Sequence, residues 1–327
     1  MTNSHPTRGL VLGKFLPPHN GHVFLIDFAR LYVDSLTVAV DSLSSQPIPG
    51  ELRTQWLKRM FPDVRVVRLP GEQPQYPHEH PDFWNIWRTV LTDATDGPVD
   101  YLFASEGYGV RLAQELEATF VPVDIGRNSV PISGTEIREA PLKHWDLIPR
   151  EVRPYFAKRV CVFGPESTGK STLTANLAAH FQTIAVPEYA RTHIEHRKGR
   201  IAHQDIPMIA RGQMAAEDAL AFNANRILFC DTDLITTSVW SNWLFQSCPD
   251  WITAEANRRE YDLYLLTDVD VPWVEDQVRY LSEERRSFFE HCRQQLESRG
   301  RKYHVVNGSW DDRLASAIAA VETMLGS

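Results

Sequence analysis

The chain has 327 residues, with 34 Lys and Arg against 42 Asp and Glu, a formal charge of −8, and 43% hydrophobic residues. That length accommodates two domains with separate cores, and the acidic balance argues against a general nucleic-acid binder, whose footprint is usually basic. No apolar run approaches the length that crosses a bilayer, and residues 1–8 lack the apolar core of a signal peptide, so no membrane partner is expected and the address is cytoplasmic.

Residues 10–12 read as a strand running into Gly13-Lys14-Phe15-Leu16-Pro17-Pro18-His19-Asn20-Gly21-His22, and 23–32 has helical spacing. Strand-like runs follow at 35–40, 64–69, 101–103 and 119–123, with a helix over 52–60. This is the rhythm of βαβ units around a parallel sheet. Residues 70–81, rich in Pro, Gln and His, are predicted to be a surface loop. In the first motif Gly13 permits close backbone approach, and the two prolines stiffen the loop. His19 and His22 are three apart at a helix start, so both face one ligand and, with the backbone N–H groups there, form a concentrated anion site. Downstream, Ser133 and Glu136 have capping-box spacing, which turns Arg138, with Ser133 and Thr135, toward the same phosphates.

A second α/β series restarts at 159–163, and a boundary near Ala157 separates an expected domain 1–157 from another at 158–327. Further strands are predicted at 183–186, 227–230, 263–266 and 303–306. Between the first of this series and a predicted helix over 172–181, Gly164-Pro165-Glu166-Ser167-Thr168-Gly169-Lys170-Ser171 matches the P-loop pattern in full. Lys170 is expected to reach the β- and γ-phosphates of ATP and Ser171 to ligate Mg²⁺. Gly164, Glu166, Ser167, Thr168, Gly169 and Thr172 are candidates for the phosphate cradle. The apolar run that ends in Asp231 has Walker B form and sets that carboxylate near the metal, and Asp233, two residues on in extended chain, shares its face. Glu188, just after the 183–186 strand, is placed to orient an acceptor hydroxyl. Trp240 and Trp243 either line the acceptor pocket or fill core. Residues 270–286, with Arg279, Arg285 and Arg286, read either as a lid that brings arginine to the transferring phosphoryl group or as a solvated helix with charge pairs. The four cysteines lack metal-ligand spacing, and Cys161 and Cys230, in apolar runs, read as buried free thiols.

The first motif, together with Ile132-Ser133-Gly134-Thr135-Glu136-Ile137-Arg138, resembles the nucleotidyltransferase superfamily, specifically nicotinamide mononucleotide adenylyltransferases. These pair G-x-F-x-P-x-H-x-G-H with a later I-S-x-T-x-x-R. The resemblance implies a Rossmann-like sheet and attack of a nucleotide 5′-phosphate on the α-phosphorus of ATP, releasing pyrophosphate. Such a nucleophile is already ionised, so catalysis rests on positioning and charge stabilisation. The resemblance assigns His19, His22 and Arg138 to the triphosphate and the reacting phosphorus, with Ser133 and Thr135 in support. Lys14 is a further phosphate contact, in one loop with Gly13 and Phe15. Trp84 and Trp87 either stack a nicotinamide ring or pack core. Gly134 departs from the pattern, since many members carry a second serine there.

Over nearly its whole length the chain resembles the NadR family, bifunctional nicotinamide mononucleotide adenylyltransferases and ribosylnicotinamide kinases. The bridge through Trp145, Ile148-Pro149 and Glu151-Val152-Arg153-Pro154 carries the likeness. So do Glu188-Tyr189-Ala190-Arg191, Asp231-Thr232-Asp233, and Trp273-Val274-Glu275-Asp276 with Arg279. It implies an N-terminal nucleotidyltransferase and a C-terminal P-loop kinase, each with a mainly parallel sheet. The implied ligands are Mg²⁺, ATP at both sites, nicotinamide riboside, nicotinamide mononucleotide and NAD, and a homo-oligomer is left open. Some members carry an N-terminal helix-turn-helix; here the first strand begins by about Gly9, so regulation through DNA is not expected. The rival reading, motivated by Gly134 and the 41–45 loop, is a riboside kinase with a weak or repurposed first domain.

Overall fold

The computed structural model describes residues 5–273 and 284–326, and the chain divides into two compact units, Met1–Val152 and Arg153–Ser327. In the first unit the strands are β1 (Arg8–Gly13), β2 (Ser35–Val40), β3 (Arg65–Arg68), β4 (Tyr101–Ala104) and β5 (Thr119–Pro122). The helices are α1 (Asn20–Tyr32), α2 (Gly50–Met60), α3 (Phe83–Ala94), α4 (Tyr108–Glu115) and α5 (Gly134–Glu139). The sheet is parallel throughout, in the order β3-β2-β1-β4-β5.

Both faces of this sheet are covered, which is why its strands are continuously apolar rather than alternating. Val11, Val38, Val40 and Phe103 pack with Leu25 and Ile26 of α1 and Leu57 of α2. Their neighbours Leu10, Ala39 and Leu102 point the other way, onto Phe83, Trp87 and Leu91 of α3 and Leu112 of α4. The strand order reverses at β1, so ligands are expected in the crevice beyond the carboxyl ends of β1 and its neighbours. Residues 70–81 form neither helix nor strand, but they do not simply lie on the surface. Gln73 is buried, and the Pro74 carbonyl accepts from Trp87 Nε1 at 2.9 Å.

The second unit opens with the short α6 (Arg153–Phe156). Its sheet comprises β6 (Lys158–Phe163), β7 (Ile184–Val186), β8 (Ile227–Asp231), β9 (Leu263–Thr267) and β10 (Tyr303–Val306). These too run parallel, in the order β10-β9-β6-β8-β7. The helices are α7 (Lys170–His180), α8 (Tyr189–His196), α9 (Ile206–Leu220), α10 (Leu234–Phe245), α11 (Asp250–Arg258), α12 (Arg285–Ser298) and α13 (Trp310–Gly326). Leu173 and Leu177 of α7 and Ala317 and Val321 of α13 cover one face, packing on Val160, Val162, Phe229 and Leu265. Helices α9 to α12 cover the other face, around Cys161, Phe163, Cys230 and Tyr264. Cys161 and Cys230 are register partners across β6 and β8, both buried and free, as expected from their apolar runs. All ten strands read from the sequence are present, the 64–69 run shortening to β3.

Candidate active sites

In the N-terminal unit the first motif leaves β1, turns through Phe15 at φ 48°, and enters α1 with His19 as its N-cap. Phe15 does not offer its ring to a ligand. It is 1% exposed within the core, edge-on to His22 at 4.9 Å, and so backs the imidazole that faces the crevice. The two imidazoles lie 3.8 Å apart, centroid to centroid. His22 Nδ1 accepts from the His19 backbone N–H at 3.3 Å, which leaves the proton of a neutral ring on Nε2. His19 is buried and its Nδ1 has no hydrogen-bond partner among the described residues. Burial, with the Arg127 charge added and Glu136 opposing, pushes the His19 imidazole down to about 4. Burial, then His19 and Arg127, likewise holds His22 well below the usual histidine range.

Ser133 caps α5 as its spacing predicts. Its Oγ accepts from Glu136 N at 3.2 Å, and Glu136 Oε2 accepts from Ser133 N at 2.8 Å. Arg138, one turn on, donates to the Leu16 carbonyl and to Thr135 Oγ1, 3.1 Å away. Residue 134 must be glycine for this contact, because a Cβ there would overlap the Leu16 carbonyl oxygen. The lost serine is therefore a consequence of close backbone approach. Gly13, Lys14, Phe15, His19, His22, Ser133, Thr135, Arg138, Trp84 and Trp87 all line one open cavity of about 910 Å³. Trp87 belongs mainly to the core at 7% exposure, whereas Trp84 sits at the cavity wall under the Arg111 guanidinium, 5.5 Å from its ring.

Sequence reasoning missed two groups in this cavity. Arg127 lies in the 124–130 loop, whose backbone N–H groups at Asn128, Ser129 and Val130 all bond the Asp124 carboxylate. Asp41 stands just past the carboxyl end of β2, 4% exposed. Only the strand-end rule for ligand crevices would have flagged either residue.

In the C-terminal unit the loop after β6 wraps the start of α7. Ser167 adopts φ 56° and Gly169 φ 81°. At Gly169 a Cβ would also run into the Trp310 ring, so glycine meets both a conformational and a packing demand. Thr168 turns inward, its Oγ1 bonding the Pro165 carbonyl at 2.8 Å and Thr267 Oγ1 at 2.7 Å, so its backbone faces the cavity and its hydroxyl ties the loop to β9. Lys170 Nζ donates to the Pro165 carbonyl at 2.7 Å. Glu166, Ser167, Thr168, Gly169, Lys170, Ser171, Thr172, Glu188 and Trp240 line a cavity of about 160 Å³.

Asp231, the last residue of β8, lies buried beside the start of α7. Its carboxylate takes a hydrogen bond from Ser171 and lies beside Lys170, yet Oδ1 is buried with no partner among the described residues. Burial pushes its pKa up, against the pull of Lys170. Glu188, N-cap of α8, is pushed up to about 7 by burial and then by Asp231, with Lys170 and Arg191 opposing. A buried oxygen without a donor among the described residues, next to a hydroxyl at the end of a phosphate loop, is a fit partner for a hard cation such as Mg²⁺. Gln213, buried in α9, fixes the pair. Its side chain accepts from Tyr189 N at 3.0 Å and donates to the Thr232 carbonyl at 3.4 Å, tying the Glu188 turn to the end of β8.

Asp233 is a correction. The chain does not stay extended past Asp231, because Thr232 adopts φ 67° and redirects the backbone. Asp233 becomes the buried N-cap of α10, accepting from Thr236 N and from Tyr264 Oη, both at 2.9 Å. Both its oxygens are occupied, and it does not line the cavity. Trp240 reaches the cavity while stacking on Phe288 at 4.5 Å; Trp243 packs edge-on against the same phenyl ring within the core. Of the charged 270–286 segment, Arg279 and residues 274–283 lie outside the described residues. At its end Arg285 donates to the Ser167 carbonyl at 3.1 Å and to the Val271 carbonyl at 3.0 Å, so a guanidinium braces the phosphate loop from outside.

Two doubly wound α/β units, one with an imidazole pair at its strand ends and one with a phosphate loop, define a protein with two nucleotide-phosphate centres. Residues 159–313 match the family model described as an AAA domain. The trifunctional NAD biosynthesis/regulator protein NadR of Escherichia coli is 30% identical over 346 residues, covering 98% of this chain and 84% of that protein. A crystal structure of NadR protein in complex with NR superposes with a TM-score of 0.82 at 25% identity, over 98% of this chain and 97% of the other. A second, of NadR protein with NAD and AMP-PNP, gives 0.78 at 26% identity over 99% and 97%. The chain belongs to the NadR family.

Proposed function

We propose that the protein makes NAD from nicotinamide riboside in two ATP-dependent steps, the C-terminal unit phosphorylating the riboside and the N-terminal unit adenylylating the resulting mononucleotide. Each unit supplies the chemistry its own step demands. A riboside 5′-hydroxyl is a poor nucleophile until a base takes its proton, and Glu188, held near neutrality at about 7, is poised to accept it. Lys170 and the backbone N–H groups at the start of α7 hold the β- and γ-phosphates, and Trp240 borders the acceptor space. Asp231 and Ser171 would hold Mg²⁺, which would supply neutralisation of phosphate charge. Gln213 keeps Glu188 and the end of β8 in register while the phosphoryl group moves.

The mononucleotide phosphate is already anionic, so the N-terminal unit needs no base. Here His22 Nε2–H, the buried His19 imidazole and Arg138 converge on the triphosphate and on the pentacovalent phosphorus, with Lys14 and Thr135 in support. Both imidazoles are neutral at pH 7 in the free site, so they act as hydrogen-bond donors that gain charge as the anion binds. Trp84 offers a face for the pyridine ring.

The observation that carries this reading is the presence, in one chain of the NadR family, of an imidazole-pair cavity and a separate phosphate-loop cavity with a carboxylate near pKa 7. Product analysis with purified protein, Mg-ATP and either nicotinamide riboside or nicotinamide mononucleotide tests it. NAD from both substrates is expected. Mononucleotide accumulating from riboside, with no NAD from either, would reduce the protein to a riboside kinase.

A further inference from the structure

We infer that Trp310 is the stacking platform for the nucleobase of ATP at the phosphoryl-transferring centre, a binding residue that stands outside the cavity of the phosphate loop. The inference rests on the kinase reading of the C-terminal unit and names where its donor nucleoside lies.

Phosphoryl transfer sets the attacking and leaving oxygens roughly in line across the phosphorus, so acceptor and ADP extend in opposite directions from it. The sheet order β10-β9-β6-β8-β7 puts the phosphate loop, which follows β6, between two flanks. On one flank Glu188, after β7, and Thr232, after β8, line the cavity together with Trp240 of α10. The rest of its lining comes from the loop itself, the start of α7 and the chain between β7 and α10; the β9 and β10 flank contributes nothing. An acceptor in that cavity leaves the β9 and β10 flank to the donor nucleoside. Trp310 stands there, at the start of α13 just past β10.

At 57% exposure Trp310 is the most exposed tryptophan among the described residues. An indole left in water to that extent forgoes the burial that aromatic side chains ordinarily gain. The ring is nonetheless held in place. Its Cζ3–Cη2 edge abuts Gly169, where a Cβ would overlap it. The Arg313 guanidinium lies 5.7 Å from the ring centroid, on a side chain only 2% exposed. Arg313 donates to the carbonyls of Thr168 and Gly308, both at 3.1 Å, to that of Asp268 at 2.9 Å, and to the Asp270 carboxylate. These bonds join the phosphate loop, the end of β9 and the start of α13 into one frame. The helix start is fixed as well, with Ser309 Oγ accepting from Asp312 N at 3.2 Å and Asp312 Oδ2 from Ser309 N at 3.1 Å. An immobilised ring against the residue before Lys170, with open surface remaining, is preorganised for a planar base. Stacking of that kind needs only the π-face of the base.

The test follows riboside phosphorylation by the full chain in wild type, Trp310→Leu and Trp310→Phe, with Mg-ATP as donor and inorganic tripolyphosphate as competing inhibitor. Tripolyphosphate carries the phosphate chain without the base, and leucine keeps apolar bulk beside Gly169 without an aromatic face. Trp310→Leu is expected to raise KM for ATP by about tenfold or more, with kcat and the riboside KM little changed. Inhibition by tripolyphosphate should keep its wild-type strength, and Trp310→Phe should retain most of the ATP affinity. The KM for ATP in adenylylation of added nicotinamide mononucleotide should not move. The inference is overturned if Trp310→Leu leaves the ATP KM within about twofold of wild type. It is equally overturned if tripolyphosphate weakens as much as ATP, the mark of a ring that only supports the loop. A wild type that phosphorylates no riboside would instead remove the kinase reading itself.

Discussion

Placing a serine at position 134 supplies the hydroxyl that many adenylyltransferases carry there, yet the structure requires it to do harm. A Cβ on Gly134 would overlap the Leu16 carbonyl oxygen and stand 3.1 Å from its carbonyl carbon, whereas carbon atoms rest at about 3.5–4.0 Å. The obstacle is backbone, so relief means moving the loop before His19, or the start of α5, by on the order of 1 Å. The same carbonyl anchors Arg138, so the shift carries a phosphate ligand with it. A displacement of that size in a catalytic constellation costs about 100-fold in rate, or about 2.7 kcal/mol of transition-state stabilisation. Initial rates of NAD formation from nicotinamide mononucleotide would read the effect. Riboside phosphorylation in the same preparation would report folding and should stay at the wild-type rate. Gly134→Ala should lose as much as Gly134→Ser, since the methyl group alone makes the overlap. A serine variant as fast as wild type, or faster, would refute the steric account and revive the view that this site is weak for want of a hydroxyl.

Other expectations follow from the same geometry. Lys170→Ala should lower riboside phosphorylation by about 10²–10³ in kcat while leaving adenylylation of added mononucleotide intact; loss of both in a folded variant would contradict two independent centres. Glu188→Gln keeps shape and removes the base, so kinase kcat should fall by about 10²–10⁴ with little change in KM for ATP. An unchanged kcat would assign proton removal elsewhere. The buried His19 gives a pH signature: its folded pKa near 4 lies below the unfolded value of 6.5. The unfolded chain therefore binds the proton first, and stability present above pH 6.5 is lost as pH falls toward 4, by about 3 kcal/mol for this residue. Urea titrations between pH 7.5 and 5 should show a steeper loss for wild type than for His19→Gln, and equal slopes would show that the imidazole is not desolvated.

Much of the molecule was legible in the sequence because its signals are local. The ten strands are short apolar runs between turn residues, and a parallel strand covered on both faces needs nothing else to be recognised. The Ser133–Glu136 cap closed as its spacing predicts, since both partners lie within one helical turn. Asp233 was misplaced for the opposite reason. Its direction is decided by one left-handed residue, Thr232, and by a hydroxyl from Tyr264 that arrives from a different strand. Thr168 likewise spends its hydroxyl on Thr267, a contact invisible in the loop pattern itself.

From sequence alone came the two phosphate motifs, their order along the chain and the α/β class, because consecutive residues at a strand end and helix start carry that information themselves. Only the tertiary structure decided which side chains are desolvated and which oxygens remain open. Asp41 beside Gln75, Arg127 among the imidazoles and Gln213 between two strand ends carry no motif. Glycine at position 134 is likewise explained by a carbonyl far away in the chain. Burial and steric fit are properties of what surrounds a residue, and those surroundings are assembled from segments that meet only when the sheet closes.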